Sequence, residues 1–230
     1  MLPLKDNIPT SRFPLATVAL IVINVLVYIV TDIFGYGGKE LFFRYGLVPY
    51  NVISAGGWTG EGPLMAGFSV ISSQFLHGGV FHIAGNMLFL WIFGKNIEDR
   101  MGKIRFVVFY LLCGAVGGMA QIIPDPRSLV PVIGASGAVA GIMGAYLLEF
   151  PKARVLTLIW ILFFVRLVWL PAFLIIIYWI VIQIISQLGS GGQIGGVAYM
   201  AHIGGFGAGL VFFRLFLLFG GKRTTLWREK

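Results

Sequence analysis

The chain has 230 residues, of which 58% are hydrophobic and only 11% are charged. A soluble domain carries about 25% charged residues, so the composition excludes an ordinary water-soluble protein and indicates a polytopic membrane protein. The net charge of +8 comes from basic residues scattered at the ends of apolar segments. That distribution reflects membrane topology rather than nucleic-acid binding. The single cysteine, Cys113, lies in an apolar run and is interpreted as a packing residue.

Six apolar segments approach the length of about 20 residues that a helix needs to cross the hydrocarbon. The predicted fold class is therefore all-α, a bundle of six transmembrane helices that forms one domain over residues 1–230. The second and fourth spans are short, which would let water approach a buried site. The predicted spans cover residues 14–34, 81–97, 104–123, 136–150, 170–187 and 197–219.

The positive charges predict the orientation of the bundle. With six spans, thirteen of the seventeen basic residues fall on one side, among them Lys222, Arg223, Arg228 and Lys230 after the last span. The positive-inside rule places that side, and both termini, in the cytoplasm. The first apolar run is too long for a signal-peptide core and is interpreted as a retained span. We expect an integral protein of the plasma or inner membrane of the cell.

Two segments outside the spans are unusual. Residues 155–170 are apolar but interrupted by Arg166, and we expect an interfacial or re-entrant piece on the cytoplasmic side. The outer loop, residues 35–80, is rich in glycine and aromatic residues. Trp58, Phe68 and Phe75 in this loop suit the depth of the lipid headgroups, so membrane lipids are expected partners.

A serine and a histidine lie within glycine-rich apolar stretches, Ser136 at the start of span four and His202 early in span six. Polar groups at membrane depth are costly, so an ionisable one suggests function, and the two together suggest a nucleophile and its base. Each also has a structural interpretation. Ser136 could cap the fourth helix, and His202 could be a buried histidine bonded to a neighbouring helix.

Small residues at helical spacing favour contact between spans four and six, because they let two backbones approach closely. Such contact would bring Ser136 and His202 together near the outer surface. Span three also carries glycines, Gly114 and Gly118, so either face could meet that span instead. The two small-residue faces consist of Gly137, Gly141 and Gly144 in span four, and Ala201, Gly205, Ala208 and Gly209 in span six.

His82 and Asn86 share one face at the start of span two, and both can donate hydrogen bonds to a developing oxyanion. His77, in the preceding loop, is expected to hold that loop by hydrogen bonds. All nine acidic residues fall in loops, tails or span ends. None is available to orient His202, so the residues favour a Ser-His dyad over a triad. The histidines lack metalloprotease spacing, and neither metal nor cofactor is expected.

These motifs together resemble the rhomboid family of intramembrane serine proteases. The resemblance extends from about residue 13 to residue 219 and fits the basic six-span form of the family. The matching segments are His77-Gly78-Gly79-Val80-Phe81-His82-Ile83-Ala84-Gly85-Asn86, Gly134-Ala135-Ser136-Gly137, and Ala201-His202-Ile203-Gly204-Gly205 with Gly209. Residues 45–49, Tyr-Gly-Leu-Val-Pro, also resemble bacterial and archaeal members.

The resemblance implies that Ser136 is the nucleophile and His202 the general base. It further implies that His82 and Asn86 contribute, with the Ser136 backbone, to the oxyanion site, and that Gly134 shapes the turn before the nucleophile. One departure lies in the outer loop. Phe68 and Ser69 stand where the family often has a Trp-Arg pair, which affects the packing of the loop and not the dyad.

The implied function is hydrolysis of peptide bonds in or beside the transmembrane segments of protein substrates. Substrates would enter laterally, past span five and the glycine-rich loop of residues 189–196. Two alternatives remain from the sequence. An inactive relative could bind membrane helices without cleaving them. A channel or transporter would instead carry polar residues through the full membrane thickness, whereas here they gather in the outer half. The sequence does not indicate an oligomeric state.

Overall fold

The computed structural model describes residues 2–35, 39–54, 62–161, 164–189 and 196–218. It is mostly helical, with three short strands. The strands are β1 (Leu2–Asp6), β2 (Arg154–Ile161) and β3 (Phe164–Pro171). The helices are α1 (Leu15–Tyr28), α2 (Glu40–Tyr45), α3 (Pro49–Ile53), α4 (Gly62–Ser72), α5 (Val80–Phe89), α6 (Lys95–Met101), α7 (Lys103–Ile122), α8 (Ser136–Glu149), α9 (Ala172–Gly189) and α10 (Tyr199–Leu218).

Within the described residues, five helices are long and apolar enough to cross a membrane, and α8 is a sixth, shorter apolar helix of 14 residues. The predicted helical bundle is thereby confirmed. Two of the spans continue through a turn of wider π-helix, α1 as far as Ile33 and α5 through Leu90–Gly94 into α6. The longer helices are Leu15–Ile33, Val80–Met101, Lys103–Ile122, Ala172–Gly189 and Tyr199–Leu218.

The second span is longer than the sequence suggested. Its apolar run predicted a short span over residues 81–97, but the helix covers 22 residues, Val80–Met101. It continues into polar sequence because the polar side chains there find partners inside the protein. Asn96 donates to Asp6, and Glu98 accepts hydrogen bonds from the start of α1. The prediction of a short second span was therefore wrong.

Residues 154–161 and 164–171 form the two strands of a β-hairpin rather than the interfacial or re-entrant piece expected for residues 155–170. β2 pairs antiparallel with β3 and, on its other side, with β1, so the strand order is β1-β2-β3. Alternation along β2 favours a strand, since Val155 and Thr157 are buried, whereas Leu156 and Leu158 are partly exposed. Pro171 ends β3 and directly precedes α9, and proline is favoured just before or at a helix start.

Two buried carboxylates fasten the N-terminal segment to the end of the bundle that carries this sheet, which we call the sheet end. Asp6 pairs with Lys95 at 2.8 Å and accepts hydrogen bonds from Asn96 and from the Tyr146 hydroxyl, the latter at 2.8 Å. A buried charge is tolerated only when it is paired and hydrogen-bonded in this way. The network therefore fixes β1 against the helices α6 and α8.

Glu98 caps the first span. It accepts hydrogen bonds from the backbone N–H groups of Ala16 and Thr17 at 2.9 and 2.7 Å, and from the Thr17 hydroxyl at 2.8 Å. These N–H groups belong to the first turn of α1, where no backbone acceptor is available. A negative charge there also complements the helix dipole. Glu98 thus sets the position of α1 relative to α6.

α8 lies at the centre of the bundle, and its residues from Gly137 to Tyr146 are all buried. It packs against α10 almost backbone to backbone. A Cβ atom on Gly205 would overlap the carbonyl group of Gly137, and one on Gly209 would overlap that of Gly141. The small faces of spans four and six therefore meet, as the spacing of their glycines predicted.

α7 joins the same contact from a third side. A Cβ atom on Gly117 would lie 2.5 Å from the carbonyl oxygen of Ala201 and 3.2 Å from the Cα of Gly137. Gly117 of span three thus adds to the contact between α8 and α10, whereas Gly114 and Gly118, raised above as competing partners, face Gln74 and Leu47 instead. We refer to this three-helix contact, centred on Gly117, Gly137 and Gly205, as the glycine seam.

The seam predicts opposite effects for two substitutions on α10. Gly205→Ala should lower the free energy of unfolding by about 1–3 kcal/mol, because the new methyl group forces α8 and α10 apart. Gly207→Ala is the matched control, since nothing lies within 4 Å of its Cβ position. That change should leave stability equal or raise it by up to about 1 kcal/mol. Reversible unfolding in mixed micelles measures both, and equal stabilities would contradict a tightly packed seam.

Candidate active site

Ser136 is the first residue of α8, directly after a turn that needs glycine. Gly134 has a φ of +121°, and its N–H donates to the carbonyl of Ser73 at 2.9 Å. A Cβ atom there would also lie 2.7 Å from Nε2 of His82. Only glycine suits both the backbone angle and the space. The turn presents the Ser136 side chain at the N-terminus of a helix, where backbone N–H groups lack intrahelical partners.

The hydroxyl of Ser136 bonds to the ring of His202. Ser136 Oγ lies 2.8 Å from Nε2 of His202, which α10 supplies from the opposite side of the glycine seam. The N-cap position of α8 belongs to Ala135. The alternative in which Ser136 merely caps its helix is therefore not what the side chain does. Sixty-six residues separate the pair along the chain, so tertiary packing alone brings them together.

α9 packs against the His202 ring and contacts the ring nitrogen that does not face Ser136. His202 is 8% exposed, and the ring of Trp179 packs against it with centroids 5.4 Å apart and an angle of 39°. The other ring nitrogen, Nδ1, lies 2.7 Å from Oε1 of Gln183. Gln183 was not identified from the sequence as a site residue. The available signal was an amide side chain in the middle of an apolar span, because polar groups at membrane depth bond across helices.

His82 and Asn86 lie one turn apart on α5 and face the turn before Ser136. The Cβ position of Gly134 is 2.7 Å from His82 Nε2 and 3.8 Å from Asn86 Nδ2. Asn86 is 7% exposed, and its Nδ2 has no hydrogen-bond partner in the part of the chain that the structure describes. An unpartnered buried donor is unusual. Asn86 and Ser136 line the same cavity.

His77 does not make the hydrogen bonds expected of it. Its ring is fully buried and lies close to the Phe75 backbone, but neither nitrogen has a partner in hydrogen-bond geometry among the described residues. Burial, with a smaller effect of nearby His82, lowers the pKa of His77 to about 4, so the ring is neutral at pH 7. It packs edge-on against the His82 ring, with centroids 5.1 Å apart. His77 thus contacts the site through ring packing.

A cavity of about 900 Å³ opens beside these residues. Its walls come from α5, α7, α8, α9, α10 and the segment before α8, and they include Phe81, Gln121, Ser136, Trp179, Tyr199 and His202. The lining combines polar side chains with apolar and aromatic ones, as is usual for a site that binds a ligand. Among the described residues, no group of three histidine, cysteine or acidic side chains could hold a metal ion.

Several predicted features lie in or beyond the outer loop. The hydroxyl of Ser69 donates to the carbonyl of Ala66 at 2.7 Å, and Phe68 is half exposed on α4, so this pair is accommodated within one helix. Trp58, most of the glycine-rich loop before α10 and the basic residues after the last span lie outside the described residues.

Comparison with known proteins identifies the family. The Rhomboid domain model matches residues 66–219, a range that contains all the site residues named above. Rhomboid protease GluP of Bacillus subtilis is 28% identical over 193 residues, covering 84% of this chain and 33% of its own length. RHOMBOID-like protein 4 of Arabidopsis thaliana is 34% identical over 145 residues, 63% of this chain and 33% of its own.

A third relative is the putative rhomboid protease YdcA of Bacillus subtilis, 35% identical over 78 residues, which cover 34% of this chain and 39% of its own length. The chain thus spans a third to two fifths of these relatives. Members of the family are generally intramembrane serine proteases. The family model covers most of the chain, and the described fold contains five helices that are long and apolar enough to cross a membrane. This protein is therefore an integral membrane protein of the rhomboid family.

Proposed function

We propose that this protein is an intramembrane serine endopeptidase in which Ser136 is the nucleophile and His202 the general base. The observation that carries the proposal is the 2.8 Å contact between Ser136 Oγ and His202 Nε2. A serine hydroxyl is a weak nucleophile until a base within hydrogen-bond reach accepts its proton. Here the close packing of α8 and α10 along the glycine seam brings the His202 ring within hydrogen-bond distance of the Ser136 hydroxyl, inside an otherwise apolar bundle.

The reaction follows from this geometry. His202 Nε2 takes the hydroxyl proton as Ser136 Oγ attacks the carbonyl carbon of the scissile peptide bond. The oxyanion of the tetrahedral intermediate accepts hydrogen bonds from the Ser136 backbone N–H, Asn86 Nδ2 and His82. His202 then passes its proton to the leaving amine, and the acyl-enzyme remains. Water from the cavity hydrolyses the ester with His202 again acting as base.

The substrates are transmembrane segments of other proteins. A helix hides its carbonyl groups in hydrogen bonds, so a substrate must unwind locally before Ser136 can attack it. Segments with glycine or other helix-weakening residues near the cut are therefore favoured. Lateral access between α5 and α9 agrees with the cavity walls, where Phe81 and Phe89 of α5 and Trp179 of α9 all contribute. Lipids cover the bundle elsewhere.

The charges favour an orientation with the sheet end in the cytoplasm of the cell, at its plasma or inner membrane. Lys95, Arg100, Lys103 and Arg154 all lie in elements at that end, and the positive-inside rule assigns such an end to the cytoplasm. Both termini then lie in the cytoplasm as well. Ser136 would be reached from the outer side, below the level of the headgroups.

Removal of either member of the dyad should abolish cleavage. Ser136→Ala and His202→Ala are each expected to lower kcat for a transmembrane substrate in proteoliposomes by about 10⁴-fold or more, because the two residues act as one unit. Ser54→Ala is the control, since that hydroxyl bonds only to the carbonyl one turn back. Substrate binding without cleavage by the unaltered protein would indicate an inactive helix-binding protein, and unchanged cleavage by either variant would refute the mechanism.

The oxyanion donors should affect the chemical step rather than binding. His82→Ala and Asn86→Ala are each expected to lower kcat by about 10²- to 10³-fold with little change in KM, because a donor aimed at the oxyanion stabilises only the transition state. Ala84→Leu on the exposed face of α5 is the matched control. A rise in KM at constant kcat for Asn86→Ala would instead assign that residue to substrate binding.

A further inference from the structure

The second nitrogen of His202 has a partner that the proposed reaction does not yet use. Gln183 lies in the middle of α9, is 7% exposed, and places Oε1 2.7 Å from His202 Nδ1. In most serine proteases a carboxylate occupies the place beside the second nitrogen of the base. In this chain an amide stands there.

The orientation of the Gln183 amide is fixed by its own helix. Its Nε2 donates a hydrogen bond to the carbonyl of Trp179 one turn earlier, at 3.2 Å. The amide nitrogen is thereby directed to the backbone, and the oxygen faces His202. A carbonyl oxygen only accepts hydrogen bonds. His202 Nδ1 must therefore carry a proton, and the lone pair of the neutral ring lies on Nε2, facing the Ser136 hydroxyl.

We propose that Gln183 is a positioning residue that holds His202 in the tautomer with Nδ1 protonated and fixes the plane of its ring. The inference rests on the proposed function and deepens it. Trp179, four residues earlier on α9, restrains the same ring from its face. One turn of α9 thus supplies both the hydrogen bond and the packing surface. Without Gln183 the opposite tautomer, which cannot accept the serine proton, becomes accessible.

An uncharged partner also suits the surroundings of the ring. Among the described residues that line the cavity with His202, the titratable side chains are His82, Asp125 and Tyr199. The helices α7, α8 and α9 present Gln121, Ser136 and Gln183, none of which is charged. A carboxylate at position 183 would be buried among apolar helices, where an ionised group is costly. Gln183 orients the base without placing a permanent charge there.

Two variants separate positioning from general support of the fold. Gln183→Leu should lower kcat at least about tenfold at constant KM, because the tautomer is no longer selected. Gln183→Glu should restore most of the activity at high pH and move the acid limb of the kcat/KM profile upward by about one pH unit or more. The sign follows because a carboxylate favours the imidazolium, and the base works only when neutral.

A spectroscopic measurement on the unaltered protein is independent of activity. The chain has three histidines, so ¹⁵N spectra of labelled protein can be assigned with His77 and His82 variants. We expect the neutral His202 ring to be protonated at Nδ1, and Gln183→Leu to give a mixture of tautomers. A proton on Nε2 in the unaltered protein, or no change in Gln183→Leu, would overturn the proposal. This readout decides even if Gln183→Leu loses activity through lowered stability.

Failure of this inference is distinguishable from failure of the proposed function. If the unaltered protein shows no cleavage that depends on Ser136, the protease assignment fails. If it cleaves, and Gln183→Leu keeps full kcat while Gln183→Glu leaves the acid limb in place, only the role of Gln183 fails. Thermal unfolding of each variant in detergent identifies any loss of activity that comes from an altered fold.

Discussion

The site depends on the close approach of α8 and α10 along the glycine seam. Gly137 and Gly141 face Gly205 and Gly209 so closely that any side chain would separate the two helices. Ser136 lies one residue before Gly137 on α8, and His202 lies three residues before Gly205 on α10. The distance between the two side chains is therefore set by the distance between the two helix backbones. A distance of 2.8 Å between two side chains tolerates little error. The seam is therefore as important to the site as the dyad itself.

The rest of the structure keeps that contact in register by satisfying polar groups inside an apolar bundle. At the sheet end, Asp6 and Glu98 tie the N-terminal strand and the first span to the second span and α8. At the other end, Gln121 accepts a hydrogen bond from the backbone N–H of Ala201, beside the base. Breaking any of these hydrogen bonds or ion pairs would leave a polar group without a partner and away from water, which is energetically costly. α9 contacts His202 through Trp179 and Gln183.

Much of this architecture could be predicted from the sequence, because hydropathy and small-residue spacing are local patterns. The six apolar helices, the faces of spans four and six, and the pairing of Ser136 with His202 all follow from such patterns. The continuation of the second span did not, since it depends on Asn96 and Glu98 finding partners more than 80 residues away. The hairpin of β2 and β3 was missed because a long apolar run conceals a period of two.

Gln183 and His77 show the same limitation at the site. Nothing near Gln183 in the chain indicates His202, and only the packing of α9 on α10 brings their side chains to 2.7 Å. His77 was expected to hold its loop by hydrogen bonds. The fold instead places its neutral ring edge-on against His82. The partners of buried polar groups are set by tertiary packing. A sequence therefore identifies such groups more readily than it identifies their partners.

The most direct test of the central claim is the rate at which a fluorophosphonate acylates the protein in detergent, followed by intact mass and peptide mapping. The account predicts a single adduct on Ser136 in the unaltered protein, and a rate that falls at least about 10²-fold in His202→Ala, since a base within hydrogen-bond reach activates the hydroxyl. An adduct on another residue, or equal rates with and without the imidazole, would contradict it.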